Sequence, residues 1–159
     1  MKFFDLLRKT AFFSFLLVAF VFVGCKDDDD DNKTPVDNNQ IVGKWQLTAI
    51  TPETAGTLPQ IALLPTIAPC IYSLKFNFTN DNKVALSDCD AAVTLIAGFI
   101  KIEADTKWKV ETGKLTITNG ATSNTFGLVQ NPSDMKITVN TNTTGSGAAV
   151  NAILSLKKL

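Results

Sequence analysis

Residues 72–89 read YSLKFNFTNDNKVALSDC. Tyr72, Leu74, Phe76 and Phe78 alternate with Ser73, Lys75 and Asn77, so the apolar side chains recur at every second position. A period of two places them on one face of an extended strand, because successive strand side chains point to opposite faces. Asn80-Asp81-Asn82 interrupts the alternation with residues that favour turns, and Val84 and Leu86 resume it before Cys89. Two half-buried strands joined by a turn are the expected outcome.

The same grammar extends in both directions. Trp45 and Leu47 begin it. Trp108 and Val110 alternate with lysines, Thr112-Gly113-Lys114 turns, and Leu115 and Ile117 follow. Asn119-Gly120 is a strong turn dipeptide, and Phe126 with Leu128 forms the next strand. Asn131-Pro132-Ser133-Asp134 turns again before Met135, Ile137 and Val139; a Gly/Thr/Asn-rich loop then leads to Ala152, Leu154 and Leu156. About eight amphipathic strands are expected over 41–159, with no long helix among them. Antiparallel strands that each carry one apolar face need a common interior, which an up-and-down barrel or a sandwich supplies. An immunoglobulin-type sandwich expects Trp between its two cysteines, whereas Trp45 precedes and Trp108 follows both Cys70 and Cys89.

The expected inward set is Trp45, Leu47, Leu74, Phe76, Phe78, Val84, Leu86, Trp108, Val110, Leu115, Ile117, Phe126, Leu128, Ile137, Val139, Leu154 and Leu156. Two stretches fall outside the pattern. Residues 58–69 (LPQIALLPTIAP) are apolar, but Pro59, Pro65 and Pro69 forbid a central strand or a long helix. Residues 91–100 (AAVTLIAGFI) are apolar at odd and even positions alike. Together they form either a flap over a ligand or a plug made of their own side chains.

The start of the chain is of another kind. Lys2, Arg8 and Lys9 precede an apolar run of fourteen residues from Ala11 to Gly24. Crossing a bilayer takes about 20 apolar residues, so the run suits a signal-peptide core over 1–24, with an uncleaved short anchor as the alternative. Val23-Gly24-Cys25 resembles the lipobox of bacterial lipoproteins, and Lys26-Asp27-Asp28 is similar to a surface-export signal of one group of Gram-negative bacteria. The resemblance implies acylation of Cys25 and an outer-membrane, lipid-anchored, surface-exposed protein. Each buried acyl methylene contributes about 0.8 kcal/mol, and stable anchoring takes more than one chain. Residues 25–40 then form an acidic, disordered tether. Asp27–Asp31 keeps it hydrated and extended by self-repulsion; calcium capture by that run is the weaker alternative, because a flexible tail lacks fixed oxygen geometry. With Cys25 acylated, Cys70 and Cys89 remain, and export permits a disulfide between them in preference to free thiols.

Composition excludes several functions. From Asn32 onward there are eleven lysines against nine acids, with no basic stripe, so nucleic acid is not an expected partner. That region has neither histidine nor arginine, which removes Ser-His and Cys-His dyads and histidine metal sites. Asp88 and Asp90 flank Cys89 as a conceivable carboxylate pair, but solvated turn residues are the simpler account. No catalytic residues, metal or cofactor are expected.

Ile41-Val42-Gly43-Lys44-Trp45 resembles the Gly-x-Trp opening strand of lipocalin-like domains, in which the Trp packs across the closed end of the barrel. The cysteine-flanked hairpin and the later TKWKVETGKLTI are similar to small lipocalin-like bacterial lipoproteins, over roughly Ile41 to Ile117. The resemblance implies an all-β, eight-stranded barrel that binds a small hydrophobic ligand, with Trp45, Phe76, Phe78, Trp108 and Phe126 as candidate pocket lining. The alternative is a non-enzymatic scaffold that docks a protein or glycan through its outer face and loops. An interior volume of about 300 Å³ or more is expected of a carrier, and a packed interior of a scaffold.

Overall fold

Strand pairing begins with turn chemistry. In the computed structural model, which describes residues 39–142 and 147–159, Glu111 pairs with Lys114 around Thr112-Gly113, both at positive φ (48° and 70°). Positive φ at both central residues is the hairpin turn whose twist matches that of the flanking strands. Asn119 pairs with Thr122 around Gly120-Ala121, where only Gly120 has positive φ (55°), the mirror-type turn that places Gly first. At the following turn Asn131 Oδ1 accepts hydrogen bonds from the backbone N–H groups of Ser133 (2.9 Å) and Asp134 (2.7 Å).

The described residues contain eight strands: β1 (Gly43–Pro52), β2 (Lys75–Phe78), β3 (Val84–Ser87), β4 (Lys107–Glu111), β5 (Lys114–Asn119), β6 (Thr122–Gln130), β7 (Asp134–Asn140) and β8 (Asn151–Lys158). They form one antiparallel sheet in the order β3-β2-β1-β8-β7-β6-β5-β4. The two edge strands meet through a single bridge between Lys83 and Lys107, supported by Val84 N–H to Thr106 O (3.1 Å) and Trp108 N–H to Asn82 O (2.8 Å). The architecture is therefore a nearly closed all-β barrel with a partial seam between β3 and β4. Buried Thr106, whose carbonyl takes the Val84 bond across the seam, is itself held on the β4 side: its hydroxyl accepts from the Glu103 N–H (2.6 Å) and donates to the Asn119 side chain.

Fifteen of the seventeen expected inward residues are buried; Leu86 on β3 and Val110 on β4 are half-buried because they lie on the two strands that flank the seam. Tyr72 departs from the expectation. It lies in a 3-10 turn (Ile71–Ser73) and is 38% exposed, so the strand begins only at Lys75, with buried Leu74 at its entrance. Ile50 departs the other way. A bulge between Leu47 and Ala49 inserts Thr48 as an extra residue, reverses the alternation, and turns Ile50 inward. Residues 1–38, and with them the expected signal segment, Cys25 and most of the tether, lie outside the described residues.

Candidate functional site

Both termini of the described domain meet at one end of the barrel, its base. Leu159 N–H donates to Lys44 O (2.9 Å), and Lys158 Nζ donates to Gln40 O (3.2 Å). Trp45 is fully buried there; its indole N–H donates to Ile41 O at 2.6 Å, and Lys158 Nζ lies 5.1 Å from its ring centroid. Gly43 makes this approach feasible. It adopts φ 133°, and a Cβ on it would stand 2.8 Å from Lys158 Cε. The Gly-x-Trp element thus seals the base.

Of the five aromatics singled out as candidate lining, Phe76 and Phe78 stack with centroids 6.3 Å apart, and Phe78 meets Trp108 edge-on at 6.0 Å. The Trp108 indole N–H donates to Thr79 O at 3.2 Å. Trp45, Phe76, Phe78, Trp108 and Phe126 are all buried in the core, and none of them borders the cavity described next.

That cavity, of about 170 Å³, lies at the opposite end, the mouth, where β1 and β7 finish and β8 begins. Its barrel wall is Ile50, Val139, Thr141, Ala152 and Leu154. Its cover comes from the two stretches that broke the strand pattern. In the first flap, a 3-10 helix (Pro59–Leu63) runs into a short α-helix (Leu64–Ile67), each with a proline in its first turn, where the missing N–H costs nothing. It contributes Leu58, Gln60, Ile61 and Leu64, with Ile71 from the turn that follows. The second flap is a seven-residue helix (Asp90–Ile96) whose buried Ala92 and Ile96 share one face, with Asp90 in the first turn where a negative charge suits the helix dipole. Leu95, Ile96, Phe99 and Ile100 close the cavity from this side. Sequence reading left both stretches as either a flap or a plug and did not foresee this helix. It also assigned the lining to aromatics, where the cavity wall is mainly aliphatic.

Cys70 and Cys89 form a disulfide with Cα atoms 5.6 Å apart, joining the end of the first flap to the start of the second. The following helix and the preceding turn are thereby held at a fixed separation. Asp88, at φ 72°, supports the junction: Ser87 Oγ donates to its carboxylate (2.5 Å), Lys75 Nζ lies 3.5 Å away, and Ser73 Oγ donates to its backbone oxygen (3.0 Å). The Ser87 hydrogen bond first, and Lys75 and Lys44 after it, hold the Asp88 carboxyl below its ordinary value. Among the described residues no ionised side chain lines the cavity, so the site offers shape, apolar surface and two polar contacts (Gln60 and Thr141).

No curated protein and no solved structure matches the chain. The family model of the lipocalin-like domain matches residues 41–144, opening on the same Ile41 that begins the Gly-x-Trp element and ending before β8. With that span, a nearly closed eight-stranded antiparallel barrel and a Trp-sealed base, the chain belongs to the lipocalin-like domain family.

Proposed function

We propose that the chain is a lipid-anchored bacterial surface lipoprotein whose barrel holds a small hydrophobic molecule at its mouth, without catalysis. The observation that carries the binding half is the uncharged cavity of about 170 Å³ roofed by two disulfide-linked flaps. It falls short of the roughly 300 Å³ expected of a carrier from the sequence, the lower bound of drug-sized ligand sites, and equally the mouth is not the packed interior expected of a scaffold. An apolar cavity of about 150 Å³ nevertheless stays dry and takes up benzene, so the volume suits a compact group of about six carbons. The anchoring half rests on the sequence: Val23-Gly24-Cys25 after an apolar core, then Lys26 and the aspartate run. Residues 1–24 would be removed and residues 25–40 would serve as the tether.

Native mass spectrometry of the protein from its host membrane tests the binding half; an adduct removed by organic extraction is the expected result, and a bare mass after gentle isolation counts against it. Metabolic labelling with an alkynyl fatty acid tests the anchor. Label on the wild type and none on Cys25→Ala is expected, and equal label on both rejects it. A second reading, a scaffold that docks a protein or glycan, draws support from the aromatics, which pack against one another in the core and do not border the cavity. Cross-linking on intact cells that traps the chain through its outer-face lysines, with no extractable ligand, would favour it.

A further inference from the structure

A second depression lies against the outside of the first flap. This open groove, of about 400 Å³, is bordered by Pro52, Gly56, Pro59, Pro65 and Tyr72 among others. Ile50, Leu58 and Ile61 border both it and the inner cavity, so these three side chains form the partition between the two spaces. Among the described residues, no charged side chain lines either space. The flaps explain this: residues 54–74 and 91–100 contain no Asp, Glu, Lys, Arg or His, although the chain carries fifteen lysines and arginines and fifteen acids. The lysines adjoining the flaps are already engaged, Lys101 with Glu103 (2.6 Å) and Lys75 with Asp88 (3.5 Å). At the end of β1, Glu53 would repel a second carboxylate; it accepts a hydrogen bond from Asn151 Nδ2 (2.8 Å).

We infer that the site takes a neutral, elongated apolar molecule such as a long-chain alcohol or carbonyl compound, and discriminates against carboxylates. The inference rests on the binding half of the proposed function and goes further by fixing the ligand's charge and shape. The polar end enters the inner cavity, where its hydroxyl or carbonyl finds Gln60 or Thr141, and the tail leads outward between Leu58 and Ile61, which must part to admit it, to lie along Tyr72 and the prolines. A carboxylate at that inner end would be desolvated with no cation among the lining residues, and a buried unpaired charge is strongly unfavourable.

Isothermal titration calorimetry on the full chain carrying Cys25→Ser, so that no acyl group competes, separates these claims. Hexanol, octanol, decanol and octanoate are the probes. Affinity is expected to rise about fourfold per methylene beyond hexanol, the gain for added buried CH₂. Octanoate at pH 7 should bind about a hundredfold more weakly than octanol and recover below its own pKa, when it is neutral. Tyr72→Ala should weaken decanol and leave hexanol unchanged. Octanoate matching octanol at pH 7, a plateau at hexanol, or Tyr72→Ala acting equally on both alcohols would overturn the inference while leaving a small-ligand carrier intact. Absence of binding by every alcohol would overturn both.

Discussion

Trp45 shows how much of the base depends on one side chain. Its ring fills the space between the termini, its N–H satisfies the Ile41 carbonyl, and it supports the Lys158 ammonium. Trp45→Phe keeps an aromatic ring but leaves that buried carbonyl unpaired and opens a small void. A loss of about 2–4 kcal/mol is expected in urea denaturation, the sum of an unmade hydrogen bond and a partial cavity. Asp88 offers a smaller, pH-dependent test. A carboxyl whose folded pKa lies below its unfolded one stabilises the protein above the unfolded value, and the contribution fades as pH falls through the folded one. Asp88→Asn tolerates the same positive φ and removes the charge. The melting temperature of the wild type should exceed that of the variant at pH 6, and the gap should narrow as acidification protonates the folded carboxyl. Residue-level reading of the sequence placed Trp45 inward because Gly-x-Trp is a local constraint, although the residue does not border the cavity it was expected to line. It failed for Ile50 because a single inserted residue, Thr48, reversed the parity downstream and left no mark in composition.

The two flaps are the elements on which sequence reading was least complete. Pro59, Pro65 and Pro69 ruled out a strand or a long helix, and the helices there are indeed only four and five residues long. Residues 91–100 gave no usable period because apolar side chains occupy every face, so the helix at Asp90–Ile96 was hidden from both the strand and the helix template. The Cys70–Cys89 cystine links these elements across 19 residues. Closing a loop of that size contributes about 3 kcal/mol by restricting the unfolded chain. Cys70→Ser with Cys89→Ser should therefore lower the unfolding free energy by about that amount. If the flaps retain the ligand, the double variant should also release hexanol faster in stopped-flow displacement, whereas a pure plug would show only the stability loss.

At the scale of the whole molecule, alternation foresaw antiparallel strands around one interior but left a barrel and a sandwich both open, and it was the Gly-x-Trp resemblance that pointed to the barrel. Which end of that barrel a given side chain would occupy was not legible. That depends on strand stagger, and the aromatics fell toward the core while aliphatics fell at the mouth. The incomplete seam is another whole-molecule property. Amides on the β3 edge that face β4 should exchange with deuterium faster than those paired to β2, because only one bridge covers them. Uniform protection around the barrel would contradict this.

The first strand finds its partners unequally: β2 lies just downstream, whereas β8 is far along the chain, and Thr48 Oγ1 donates to Ser155 O, 107 positions away, at 3.0 Å. The sheet can therefore roll into a cylinder only once β8 has bridged β1 and β7, and loss of that eight-residue strand would leave two sticky, unpaired edges where the wall should be continuous.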